Sequence, residues 1–504
     1  MQPIGPRALV ILDGFGRLNY REHNAIAQAA TPHLDQWFGQ CPSALVRASG
    51  ESVGLPAGAI GNSEVGHMTI GTGRVIPQAV TLVEQAIGNK SFYDNPVLKE
   101  ALARVKVTSN RLHIMGLCSD AKVHSDIGQL YAYVTAAHRA GIQNVFLHLF
   151  LDGRDVAPHS AERYLEAVEH EVVCRGYGLI GSLHGRFYAM DRDKNFERTK
   201  KSYDVLVGAA IARNSSWRQL LDLSYTHGIT DEFFEPTLLR SDACIQPGDG
   251  VISFNIRPER IEQLTRSLID PACAGFGTKP LSLSCFVTPV SYGQALATDI
   301  LFPSSPLEHT FKDTLAAAHK TIFVIAETEK YAHVTYFFNG MREQAVLGET
   351  RVLIPSLKVA TYADSPAMSA PAITQAVLAT LKQPYDFYLI NYANADMVGH
   401  SGDFAATVRA IECLDAQLGL LYDAFVVQQN GMLYITADHG NAEDMFDEAT
   451  QQPRTAHTTN PVPFLVVTKN GCSAAASLPL HELADIAPYI LHDMGLPVPI
   501  EMRK

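Results

Sequence analysis

Three short phrases far apart in the chain each join an apolar run to a residue that could bind a metal. Ala8-Leu9-Val10-Ile11-Leu12 runs into Asp13-Gly14. Tyr388-Leu389-Ile390 leads to Asp396 and His400, and Leu433-Tyr434-Ile435-Thr436 leads to Asp438-His439-Gly440. Apolar, β-branched-rich runs of this kind make buried strands. Open parallel sheets bind ligands in the crevice outside the carboxyl ends of their strands. Asp396 and His400 share one face if their turn is helical. Asp438 and His439 are adjacent and need a sharp turn, which Gly440 permits. His457 adds a third histidine in the same terminal region. These six residues suffice for two cations in one site. Oxygen and nitrogen donors without thiolates suit a divalent ion such as Mn²⁺ or Zn²⁺. Two-metal sites stabilise both the attacking and the leaving oxygen of phosphoryl transfer. Taken singly, an Asp-Gly after a strand is a turn and a lone histidine is structural; three strand ends repeating the pattern favour the metal.

Ser63 sits in Gly61-Asn62-Ser63-Glu64-Val65-Gly66-His67. A serine after Gly-Asn caps helices. It also suits a nucleophile, because a metal lowers the pKa of a hydroxyl and a helix N-terminus holds an incoming phosphate. The two roles are compatible.

The middle of the chain holds a different set. Arg154 follows the apolar run ending at Leu151. Arg186 and Arg192 lie in His184-Gly185-Arg186-Phe187-Tyr188-Ala189-Met190-Asp191-Arg192, and Arg257 and Arg260 in Phe254-Asn255-Ile256-Arg257-Pro258-Glu259-Arg260. The planar guanidinium fork binds phosphate or carboxylate bidentately. A single arginine is as readily a solvated surface group, but five after apolar runs could neutralise a phosphorylated acid. His124 and Asp155 are the acid–base candidates here, since histidine titrates nearest neutrality.

These residues need elements to hold them. Strand-like runs alternate with helical stretches from end to end, which predicts α/β architecture with parallel sheets. Leu112–Met115, Val145–Leu151, Leu179–Leu183, Val251–Phe254 and Leu281–Val287 form a second strand set, and Ala405–Asp415 into Leu421 has helical spacing. At 504 residues the chain is too long for one ordinary core. The metal-type ligands lie outside the middle block, so the simplest arrangement is a discontinuous domain with another inserted into it. Val75–Ala79 reads as the outgoing linker and Leu301–Pro306 as the return.

The formal net charge of −12 argues against nucleic-acid or anionic-membrane partners. No apolar stretch approaches the ~20 residues of a membrane helix, and the first residues do not read as a signal peptide. Eight scattered cysteines without a CxxC pair read as reduced, mostly buried thiols of a cytoplasmic protein. Two α/β domains without an amphipathic tail suggest a monomer.

Leu12-Asp13-Gly14-Phe15-Gly16, Gly61–His67, Asn394–His400 and Thr436–Glu443 (TADHGNAE) closely resemble the cofactor-independent phosphoglycerate mutases, a branch of the alkaline-phosphatase superfamily. The resemblance runs along essentially the whole chain, in order. It implies a phosphatase-like metal-binding domain of residues 1–77 and 310–504 and an inserted transferase domain of residues 78–309. It implies that Ser63 is the phosphorylated nucleophile, that Asp396, His400 and His457 hold one metal, and that Asp13, Ser63, Asp438 and His439 hold the second. The family usually uses Mn²⁺, some members use other divalent ions, and no 2,3-bisphosphoglycerate is needed. It further assigns His124, Arg154, Asp155, Arg186, Arg192, Arg257 and Arg260 to binding of a small phosphoglycerate between the domains. Asp155 is then the acid or base at the reacting hydroxyl, and Lys330 contacts the phosphoryl group. The family usually reads SDGGVHSH where this chain has Ser119-Asp120-Ala121-Lys122-Val123-His124-Ser125-Asp126, and FNFRPDR where it has FNIRPER. A metal-dependent phosphatase or sulfatase of the same superfamily is the alternative. It would not need the arginine set. A phosphopentomutase, or a non-catalytic phosphate binder on the same fold, ranks below both.

Overall fold

Apolar strands with no polar alternation must be covered on both faces, and two such sets build the fold. The structure, a computed structural model, describes all residues except 1–4, 214, 271, 274, 279–280, 294–295, 304–305, 449, 470–475 and 504. The chain divides into two units, Met1–Gln78 with Pro306–Lys504, and Ala79–Ser305. Each unit has its own apolar core. Residues 75–78 have no regular structure. Ser304 and Ser305 of the expected return linker lie outside the described residues.

The discontinuous unit is built on a seven-stranded sheet. Its order is Glu349–Ile354, Ile322–Glu327, Phe387–Tyr392, Arg7–Leu12, Met432–Thr436, Val462–Thr468, Ser43–Val46. The first five strands are mutually parallel, Val462–Thr468 runs against them, and Ser43–Val46 pairs antiparallel with it and so runs with the first five. Four central strands therefore end at one edge of the sheet. Val462–Thr468 begins at that same edge because it runs the other way. The strand ends at Leu12, Tyr392 and Thr436 thus lie side by side, although their residues are hundreds of positions apart.

The inserted unit repeats the scheme in the order Thr237–Leu238, Leu179–Gly185, Asn144–Leu151, Arg111–Leu117, Gly250–Ser253, Cys285–Thr288, Asp299–Ile300. Only the contact of Thr237–Leu238 is antiparallel. The expected strand from Leu281 begins at Cys285, because the preceding residues turn back on themselves, with Leu283 N–H donating to the Leu281 carbonyl. The helix read from Ala405 spans Phe404–Leu421.

A buried polar line crosses this second sheet. Asp249 Oδ2 lies 3.0 Å from His113 Nε2, His113 Nδ1 2.9 Å from His148 Nε2, and His148 Nδ1 2.7 Å from Ser182 Oγ, which is 2.7 Å from His184 Nε2. A carboxylate only accepts, so each N–H or O–H along the line donates toward Asp249. Burial pushes His184 down to about 3 and lowers His113 and His148. Burial and then Arg186 push His124 down to about 4. Unfolded histidines titrate near ~6.5, so below that pH the unfolded chain takes up protons that the folded chain refuses. The stability these four neutral histidines confer is present above pH ~6.5 and is lost as pH falls toward about 4. His184 and His124, with folded values of about 3 and about 4, each contribute a loss of up to about 1.4 kcal/mol per pH unit in that window. We expect the urea midpoint to fall markedly between pH 7 and pH 5.5; an unchanged midpoint would contradict the neutral, buried state of the line.

Six of the cysteines are free thiols. Cys41 corrects the expectation of uniformly reduced thiols, since it is disulfide-bonded; Cys472 lies outside the described residues. No helix among the described residues is long and apolar enough to cross a membrane.

Candidate metal centre and anion site

Asp13 follows its strand directly and is fully buried. Asp396 sits in the short helix Asn394–Gly399 just past Tyr392, with His400 at its C-cap. Asp438 and His439 follow Thr436 and are also fully buried. His457 precedes the antiparallel strand Val462–Thr468, so it reaches the same edge from the opposite direction. Lys330 ends the 3₁₀ turn Thr328–Lys330 after the strand Ile322–Glu327. Ser63 opens the helix Ser63–Thr72, but the cap is Asn62, whose side chain accepts from Val65 N at 3.1 Å. The expectation that Ser63 caps the helix is thus corrected: its hydroxyl faces the cluster instead.

Ser63 Oγ is 2.7 Å from Lys330 Nζ, 3.0 Å from His439 Nε2 and 3.1 Å from Asp13 Oδ1. The Lys330 ammonium spends its other protons on Asp13 Oδ1 at 2.6 Å and Asp396 Oδ2 at 2.7 Å. Burial alone would raise both carboxyls and lower the lysine. The close opposite charges win, holding Asp13 and Asp396 well below the carboxylate range and raising Lys330. Burial would likewise lower His439, but the carboxylates of Asp438, Asp396 and Asp13 raise it to about 9. The three carboxylates of Asp13, Asp396 and Asp438 still outnumber the two cations, Lys330 and His439, so the cluster favours a further cation.

Its donor set fits a divalent metal. His400 Nδ1 donates to the Thr455 carbonyl and His457 Nδ1 to the Gly61 carbonyl, at 2.6 and 2.9 Å. Fixing a proton on Nδ1 leaves Nε2 of each ring as the nitrogen a metal would take. These two nitrogens face each other at 3.0 Å, and Asp396 Oδ1 is 3.2 and 3.1 Å from them. Facing lone pairs beside a carboxylate call for a shared cation. A second group of Asp13, Asp396 and His439 is equally close-knit. Asp438 Oδ2 is buried with no donor aligned on it, although His67 Nδ1 lies 3.1 Å away.

A third such grouping, Asp13, His67 and Asp438, fits less well because both His67 nitrogens are engaged. Asn391 Nδ2 donates to His67 Nε2 at 3.0 Å and to Asp13 Oδ2 at 2.9 Å, and His67 Nδ1 lies 2.9 Å from the Ser63 carbonyl. His67 and Asn391 carry no role in the sequence reading. The available signal is Asn391 itself, a polar residue in a fully buried strand.

In the inserted unit, Arg186 is buried and its Nη1 bridges Asp152 Oδ1 at 2.6 Å and Asp155 Oδ2 at 2.5 Å. His124 Nε2 lies 4.0 Å from the same Asp155 oxygen, and its buried Nδ1 has no partner. Arg154, Arg192 and Arg257 are exposed and Arg260 is half-buried. Burial and then repulsion from Arg192, Arg186 and Arg154 lower Arg260, which therefore stands in the positive field of the other three guanidiniums. Such a group binds an anion readily. Lys122, in the altered loop, adopts a φ of 58°, a region that favours glycine. Its ammonium pairs with Glu84 at 2.7 Å, so the loop before His124 is tethered to the helix Ala79–Gly88.

Residues 5–498 match the model of the Metalloenzyme superfamily. A 2,3-bisphosphoglycerate-independent phosphoglycerate mutase of Legionella pneumophila is 45% identical over 99% of this chain and 96% of its own length. One of Desulforudis audaxviator is 44% identical over 100% and 99%. Among solved structures, a phosphoglycerate mutase of Leishmania mexicana, crystallised at low cobalt concentration, superimposes with a TM-score of 0.71. It is 30% identical over 99% of this chain and 97% of that one.

Proposed function

The chain belongs to the metalloenzyme superfamily and, within it, to the 2,3-bisphosphoglycerate-independent phosphoglycerate mutases, and from that premise we propose how its residues divide the reaction. It interconverts 3-phosphoglycerate and 2-phosphoglycerate through a phosphoserine on Ser63. The observation that carries this reading is the setting of Ser63 Oγ, within 3.1 Å of Lys330, His439 and Asp13 at the carboxyl edge of a parallel sheet.

Asp396, His400 and His457 would hold one divalent ion, and Asp13, Ser63, Asp438 and His439 a second, with Mn²⁺ the expected metal. When bound, the ions lower the pKa of the Ser63 hydroxyl and offset charge on the phosphoryl oxygens. Ser63 Oγ attacks the phosphorus in line. The bond to Oγ forms as the bond to the substrate oxygen breaks. Lys330 Nζ, 2.7 Å from Oγ, supports the charge that develops there.

The inserted unit would hold the glycerate. Arg154, Arg192, Arg257 and Arg260 supply the positive field for its carboxylate and phosphate, and Arg186 fixes Asp155. His124, held neutral by burial and Arg186, accepts or donates a hydrogen bond without adding charge. Asp155 moves the proton at the hydroxyl that gains or loses the phosphoryl group. The glycerate must stay bound while its other hydroxyl is presented, because water competes for the phosphoserine.

The deciding assay supplies 3-phosphoglycerate and Mn²⁺ without 2,3-bisphosphoglycerate. The expected product is 2-phosphoglycerate, with no inorganic phosphate accumulating. Phosphate release without isomerisation would overturn the reading in favour of a hydrolase.

A further inference from the structure

We propose that Glu443 is a positioning residue for the metal centre, a buried carboxylate that ties three ligand-bearing segments together and so sets the affinity of the site without touching the ion. The inference rests on the metal reading above. Glu443 is fully buried. Its Oε2 accepts from Gly16 N at 3.1 Å and Asn441 N at 2.8 Å. Its Oε1 accepts from Asn460 Nδ2 at 3.0 Å and from the Thr458 hydroxyl. Four neutral donors saturate the carboxylate.

Those donors come from three separate stretches. Gly16 lies just past Asp13, Asn441 just past Asp438 and His439, and Thr458 and Asn460 just past His457. One side chain therefore fixes the spacing of four ligands brought from three strand ends. The tie also accounts for two glycines of the motifs. A Cβ on Gly16 would lie 2.2 Å from Glu443 Cδ, and one on Gly440 would lie 2.3 Å from Glu443 Oε1. Gly440 has no positive φ, so the turn needs its smallness here and not its backbone freedom. No neutral amide can replace the carboxylate, because one end of a glutamine carries N–H groups that would face N–H or O–H donors.

The test compares wild type with Glu443→Gln and Gly16→Ala. Mn²⁺ affinity is read by calorimetry, the thermal midpoint in chelator reports the fold, and kcat is measured at rising Mn²⁺. Outer partners of metal ligands set affinity by about 10–100-fold. We expect Mn²⁺ binding weakened by that factor in both variants, with kcat recovering as Mn²⁺ is raised and the KM for 3-phosphoglycerate little changed. A merely structural role would lower the midpoint in chelator and leave the affinity alone. Mn²⁺ affinity within twofold of wild type overturns the proposal. If Glu443→Gln fails to fold, Gly16→Ala and the near-isosteric Thr458→Val carry the same decision. Wild-type protein that binds no Mn²⁺ fails differently: it overturns the metal reading itself and the tie with it.

Discussion

Ser63→Ala is expected to abolish mutase activity, by about 10⁴-fold or more, while the protein folds normally. The magnitude follows from removing the nucleophile of a covalent mechanism, where the remaining binding groups cannot substitute for it. The intact fold follows from the helix terminus. Asn62 caps the helix through its own side chain, 3.1 Å from Val65 N, so no backbone donor is orphaned by losing the Ser63 hydroxyl. Alanine is also a good helix former. The hydroxyl's contacts all point into the cluster, to Lys330, His439 and Asp13, and losing them costs about 1–3 kcal/mol. The check is steady-state turnover beside acid-quenched labelling with substrate carrying a radioactive phosphate. Wild type should retain label on the protein and Ser63→Ala none. Residual isomerisation above about a hundredth of the wild-type rate would sink the phosphoserine route, since a missing nucleophile leaves far less than that.

Part of the cluster was legible because its residues follow directly on an apolar run, and a strand end fixes where the next side chain goes. Asp13, Asp438 and His439 are of this kind. His457 lies before a strand instead of after one. It joins the cluster only because Val462–Thr468 is antiparallel to its neighbour, and pairing direction is not written locally. Lys330 is harder still. It stands in a short polar turn, and what brings it to Asp396 is the adjacency of Ile322–Glu327 to Phe387–Tyr392. Strand order depends on contacts across the whole chain, so only the family resemblance pointed to it. Asn62 and Ser63 are both good caps by residue type, and nothing local decides between them. Glu443 was visible as a letter of a motif, but its partners at Gly16 and Thr458 are non-local, so its place was readable only in three dimensions. The histidines of the inserted sheet were hidden for a related reason. His113 and His148 each break an apolar run and look like isolated faults until the parallel register, with Phe146 beside His113 and His148 beside Met115, makes them diagonal neighbours within hydrogen-bond reach.

Chelation should remove activity completely, and Mn²⁺ should restore it. The argument begins with charge. Asp13, Asp396 and Asp438 are carboxylates with almost no access to water, and a buried charge must be paired. Within the protein itself, Lys330 spans Asp13 and Asp396, and His439 lies among all three carboxylates. That pairing is enough to keep the fold, so the chelated protein should still unfold cooperatively. It is not enough for chemistry, because Lys330 alone cannot both neutralise the carboxylates and support an alkoxide and a phosphoryl group at once. Adding Mn²⁺ at about a hundredfold excess over Kd should stabilise the fold by about 3 kcal/mol through linkage. Protons compete with metal for imidazole nitrogens, so the affinity should weaken as pH falls through the histidine range. Asp396→Asn gives the same test by substitution. It removes charge from the oxygen that His400 and His457 both approach, and should cost both metal affinity and turnover. Full activity after exhaustive stripping, or an Asp396→Asn variant as active as wild type, would refute a metal role in this reaction.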